Sequence, residues 1–106
     1  MKVYNKLVRD NIPQIIKDAG KKCKVTILDD ERYLIELKKK VIEEAKELTE
    51  TKNRIETIEE LSDIFEVLDV ILTKEKISME EISATRMEKN NVKGTFEQKI
   101  FLKSVE

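Results

Sequence analysis

Two acidic groups in this sequence have the residue types and spacing to do chemistry together. The first is Glu43-Glu44-Ala45-Lys46-Glu47 and the second is Glu59-Glu60-Leu61-Ser62-Asp63, with 12 residues between Glu47 and Glu60. Glu44/Glu47 and Glu60/Asp63 are i, i+3 pairs, so on helices each pair projects from one face. If the two helices form an antiparallel hairpin, four carboxylates can converge. Their mutual repulsion, on the order of 1 kcal/mol per pair even at water-like screening, would be offset by a divalent cation. Magnesium suits such a set, because it takes oxygen ligands, keeps waters and binds substrate phosphates.

A plain structural reading competes with this one. In a chain with 41% charged residues, acidic clusters are common as solvated helix faces. Lys39/Glu43 and Lys40/Glu44 also have ordinary i, i+4 ion-pair spacing, and Thr57 with Glu60 matches a capping box. The feature that favours the metal reading is Glu44. Leu34, Leu37, Val41 and Leu48 follow a three-four apolar spacing whose one missing position is filled by this glutamate. A charge at a core position is costly without a partner.

The chain has no histidine, which removes the serine-histidine triad, histidine zinc ligands and imidazole acid-base chemistry. Carboxylates, lysines, arginines and a hard metal must carry any catalysis. Cys23 is the single cysteine and reads as a small strand residue. With 21 basic and 22 acidic residues, the net charge of -1 provides no global field for nucleic acid or an anionic membrane. No apolar run approaches the ~18 residues of a membrane span, and the charged start does not resemble a signal peptide. A cytoplasmic protein is expected.

The elements that must position the carboxylates follow from composition and periodicity. With 106 residues, one single-domain unit over 1–106 is expected, and 2 Gly with 1 Pro favour long charged helices over a turn-rich β fold. Ile12, Ile15, Ile16 and Ala19 make the stripe of a short helix from about Asp10 to Ala19, stopped by Gly20. Cys23, Val25 and Ile27 alternate with polar residues as a short strand would. Asp29 or Asp30 can cap a second helix reaching about Thr51. A third helix, from Asn53 or Thr57 to Lys74, is apolar enough around Ile64 to Leu72 to predict burial on most sides. Ser78 with Glu81 signals a capping box for a fourth helix reaching about Asn91, before Gly94. The expected class is all-α, a four-helix bundle, with a small two-stranded β element pairing about 23–28 with 99–104.

The pattern Glu-Glu-x-x-Glu followed by Glu-x-x-Asp on consecutive helices is similar to the all-α nucleoside triphosphate pyrophosphohydrolases, the MazG and phosphoribosyl-ATP pyrophosphohydrolase-like superfamily. The opening Tyr4-Asn5-Lys6-Leu7-Val8-Arg9-Asp10-Asn11-Ile12-Pro13 and the closing Lys89-Asn90-Asn91-Val92-Lys93-Gly94-Thr95-Phe96 resemble one MazG-like branch. Thr95 departs from that pattern, standing where a second glycine is expected. The resemblance implies a MazG-like bundle that assembles as a homodimer or homotetramer. It also implies magnesium, with manganese as a substitute, held by Glu44, Glu47, Glu60 and Asp63. Glu43 matches the motif's first glutamate, and Glu43 or Glu47 is the candidate base.

The implied reaction is cleavage of a nucleoside triphosphate, of an ordinary, modified or surplus nucleotide, to the monophosphate and pyrophosphate. Lys6, Arg9, Arg86, Lys89 and Lys93 are candidate phosphate contacts, and Asn90 a candidate reader of base or sugar. Two other functions fit the same residues: phosphoribosyl-ATP hydrolysis, and a non-catalytic helical dimerisation module.

Overall fold

Asp29, in extended conformation, accepts a 2.8 Å hydrogen bond from the amide of Arg32 and so starts the most clearly amphipathic helix of the chain. This is helix α2, Asp30–Thr49, preceded by the short α1, Ile12–Asp18, and followed by α3, Arg54–Glu75, and α4, Met79–Lys93. The structure, a computed structural model, describes residues 1–106. All four expected helices are present and the class is all-α. No helix is long and apolar enough to cross a membrane.

The expected two-stranded β element does not form: residues 23–28 and 99–104 have no regular structure. Alternation of side chains fits a strand only where a neighbour pairs with its amides and carbonyls, and neither segment has such a neighbour. Cys23 lies half-buried in the first of these segments as a free thiol.

The chain divides into two compact units, Met1–Glu75 and Lys76–Glu106. The first is organised around the α2–α3 hairpin. Lys74 near the end of α3 reaches Asp30 at the start of α2 at 3.0 Å, which fixes the two helices as antiparallel. Their seam contains Leu37, the most buried apolar residue, with Leu34, Val41 and Leu48 half-buried beside it on α2 and Ile64, Val67 and Ile71 on α3. Glu44 occupies the seam position that the spacing left open, and it is buried.

The hairpin turn is fixed by local hydrogen bonds. Glu56 donates its amide to the Asn53 side-chain oxygen, while the Asn53 side-chain nitrogen and the Lys52 amide donate to the Glu56 carboxylate. Asn53 therefore caps α3, and the Thr57/Glu60 capping box does not form. The Thr57 hydroxyl donates instead to the Asn53 carbonyl at 2.8 Å, which leaves Glu60 free of capping.

α3 is not buried on most sides, contrary to its apolar composition. It holds no fully buried residue, and Ile58, Leu61, Phe65 and Leu68 form an exposed row on the face away from the seam. Two apolar faces on one helix exceed what a single hairpin partner can cover.

In α1, Pro13 occupies the first turn, where its missing amide donor leaves nothing unsatisfied. Gly20, at φ +79°, ends the helix as the sequence suggested, in a conformation where a Cβ would be strained. In the second unit, the Ser78 hydroxyl and the Glu81 carboxylate cap α4 reciprocally, as the capping box predicted.

Candidate active site

Glu44 and Glu47 lie one turn apart near the end of α2, and Glu60 lies in the second turn of α3. The hairpin brings one carboxylate oxygen from each to within 4.8 Å of the others. These three are the expected ligands that the fold draws together. Glu44 is the deepest: Lys40, one turn earlier, approaches one of its oxygens at 3.5 Å, and its other oxygen is buried with no hydrogen-bond partner. Glu60 also has a buried, unpartnered oxygen. Buried polar atoms are almost always satisfied, so these two orphans, one on each helix, leave a need that a proton or a cation could meet.

The electrostatics of the cluster agree. Burial, followed by the neighbouring Glu44 and Glu47, pushes the Glu60 carboxyl up to about 7. Burial and the adjacent Glu44 raise Glu47 in the same direction. Protons thus partly hold together what repulsion would separate, and a divalent cation would do so more strongly. A donor set made of carboxylate oxygens alone fits a hard ion such as magnesium or manganese.

Asp63, the fourth expected ligand, is placed differently. One of its oxygens accepts a 2.7 Å hydrogen bond from Arg9, and the group of three converging carboxylates does not include it. Glu43 is likewise engaged: Lys6 reaches one of its oxygens at 3.0 Å and Lys40 the other at 3.1 Å. Burial alone would raise the Glu43 carboxyl, but these two lysines outweigh it and hold it below the ordinary range. Lys6 and Arg9, expected as phosphate contacts, therefore lie at the edge of the carboxylate site, pairing with its outer members. Their own protonated forms are favoured by those partners.

The remaining expected contacts belong to the second unit. Arg86 and Asn90 line a hollow of ≈ 350 Å³ on α4 with Ser83, Met87 and Asn91, whereas Lys89 and Lys93 are exposed and do not line it. Sequence reasoning treated Lys40 as an ordinary helix pair. The structure places it half-buried between Glu43 and Glu44, a role that Glu44's seam position could have signalled, because a buried carboxylate needs a cation within one turn.

Such a site can hold one divalent ion on three carboxylates, with cations at the rim to receive an anionic substrate. A model of the family described as phosphoribosyl-ATP pyrophosphohydrolase matches residues 12–90, a span that includes every carboxylate of the site and α1 to most of α4. No curated protein and no solved structure gives a significant match. The matched span covers most of the chain, and the chain belongs to the phosphoribosyl-ATP pyrophosphohydrolase family, within the MazG-like all-α pyrophosphohydrolases.

Proposed function

We propose that this chain is a magnesium-dependent nucleoside triphosphate pyrophosphohydrolase, converting a nucleoside triphosphate and water to the monophosphate and pyrophosphate. The observation that carries the reading is the convergence of Glu44, Glu47 and Glu60 within 4.8 Å, with buried, unpartnered oxygens on Glu44 and Glu60. Glu44, Glu47 and Glu60 would hold the ion, and Asp63 would join them when Arg9 turns to substrate. Magnesium, or manganese in its place, supplies there a lowered pKa for bound water and charge neutralisation on the phosphates.

The protein's own groups divide the remaining work. Of the two candidate bases, Glu43 is occupied on both oxygens by Lys6 and Lys40, which leaves Glu47 as the proton acceptor. Glu43 then positions Lys6 and Lys40. Lys6 and Arg9 exchange Glu43 and Asp63 for substrate phosphates, Arg9 through its planar fork and Lys6 as a point charge. Arg86, Lys89, Asn90 and Lys93 are proposed as nucleotide contacts on the resemblance of their segment to the MazG-like branch alone. The family match at 12–90 takes in α1 to most of α4, which supports treating the chain as one functional domain.

The family's description favours a second substrate, phosphoribosyl-ATP, cleaved at the same anhydride by the same groups. The protein is expected to act in the cytoplasm on free nucleotides. The exposed row Ile58, Leu61, Phe65 and Leu68 supports a homodimer or a homotetramer built from it, since a second copy of α3 would cover it.

Pyrophosphate release from ordinary and modified nucleoside triphosphates and from phosphoribosyl-ATP, with magnesium and with Glu44→Gln as control, tests the reading. Release that depends on both magnesium and Glu44 is expected. No release from any substrate would leave the helical dimerisation module as the better account.

A further inference from the structure

The segment before α1 has no regular structure, yet it is the source of both cations at the rim of the carboxylate site. Ahead of Lys6 in that segment stands Tyr4, a residue 62% exposed with no place in the hairpin core. The Lys6 ammonium lies 5.7 Å from the centroid of this ring while donating to Glu43 at 3.0 Å. One side chain thus touches both the aromatic ring and the acidic rim. The Lys2 ammonium lies 5.1 Å from the same centroid. Between Tyr4 and Lys6, Asn5 adopts a positive φ of 48°, a left-handed turn that asparagine tolerates better than most residues. Backbone in such a conformation persists where surrounding contacts hold it, and it recurs at ligand clamps.

A nucleotide is a polyanion at one end and a flat π system at the other, separated by a sugar. The segment offers the matching pair: ammonium and guanidinium groups beside the carboxylates, and an exposed aromatic face next to them. The ring face that the two ammonium groups approach is electron-rich, and a base stacking on it would take the place of one of them.

The geometry points to Tyr4 as the platform on which the substrate's base stacks, so that the segment before Ile12 recognises a base as well as phosphates. The inference rests on the nucleotide reading given above and adds a residue to it. Tyr4 takes no part in the bond cleavage. It sets the preference for a nucleotide over a bare polyphosphate.

The chain has no tryptophan, so Tyr4→Trp places a single indole at this position, excited apart from Tyr33 at long wavelength. Quenching of that emission by an α,β-methylene nucleotide with magnesium, and none by tripolyphosphate with magnesium, is expected. Tyr4→Leu should raise KM for the nucleotide about 5- to 150-fold, the range that loss of one stacked base corresponds to, with kcat within about twofold. Tyr4→Phe, which keeps the ring face, should restore KM. Equal melting midpoints for the three variants and the parent would show that the exposed position leaves folding intact.

Nucleotide bound by calorimetry without quenching of Tyr4→Trp, or an unchanged KM in Tyr4→Leu, overturns the assignment of Tyr4 and leaves the pyrophosphohydrolase reading standing. Absence of nucleotide binding by the parent protein overturns both.

Discussion

Replacing Glu44 with glutamine should make the metal-free protein more stable while abolishing its response to magnesium. Glu44, Glu47 and Glu60 present oxygens within 4.8 Å of one another, so each like-charged pair repels by at least about 0.9 kcal/mol at water-like screening. The opposing attraction to Lys40 at 3.5 Å is about 1.2 kcal/mol on the same basis. Among its nearest charges, removing Glu44 deletes two repulsions and one attraction. The net relief is about 0.5 kcal/mol at water-like screening and about 2 kcal/mol at the intermediate screening typical of partly buried pairs. At about 4 °C per kcal/mol for a domain of this size, the midpoint should rise by about 2 to 8 °C.

The assay is thermal melting at about pH 8, where Glu60 is ionised, with chelator and then with magnesium. Magnesium at about ten times its dissociation constant should stabilise the parent protein by about 1.4 kcal/mol, and Glu44→Gln hardly at all. A lower chelated midpoint for Glu44→Gln, together with a full magnesium response, would show that Glu44 is a structural partner of Lys40 and has no part in holding an ion.

Arg9→Gln breaks a solvent-exposed pair, so stability should change by less than about 1 kcal/mol. kcat/KM for the nucleotide should nevertheless fall at least about tenfold, and unchanged kinetics would remove Arg9 from the substrate site. The raised Glu60 carboxyl carries a sign: between its ordinary 4.5 and about 7 the folded chain holds a proton that the unfolded chain has lost. Stability without metal should therefore fall as pH rises through that window and level off above it, and a flat or rising profile would contradict the cluster's geometry. Ser78→Ala removes the α4 cap and should lower stability or α4 helicity by about 1 kcal/mol, read by circular dichroism. Phe65→Glu places a charge in the exposed row of α3. Sedimentation should show the parent protein as a dimer or larger and this variant as a monomer; a monomeric parent would refute assembly through that face.

The helices were legible because their signals are local. Asp29 and Ser78 cap where their side chains predicted, and Gly20 terminates α1 as a glycine can. The position of Glu44 in the hairpin seam was also legible, since a gap in a three-four apolar spacing is a statement about which way a side chain faces. What failed depended on partners. Alternation at 23–28 described a strand without supplying its neighbour, and the apolar richness of α3 described two faces of which the hairpin covers one.

The site divides along the same line. The helical spacing gave Glu44, Glu47 and Glu60, whereas the engagement of Asp63 by Arg9 and of Glu43 by Lys6 joins residues 54 and 37 positions apart. No local periodicity encodes such contacts. Thr57/Glu60 shows the reverse case, a valid capping motif overruled by Asn53 and Glu56 one turn earlier.

The hairpin turn held by Asn53 and Glu56 has a kinetic consequence. The three converging carboxylates all fall within the span 44–60, so the chain that must close to assemble them is short, and the entropy of closing it is correspondingly small. The acidic cluster can form as soon as α2 meets α3, before the amino-terminal segment settles, and contacts so near in sequence are among the first that a folding chain makes. An ion captured at that moment would act as a clasp on the nascent hairpin.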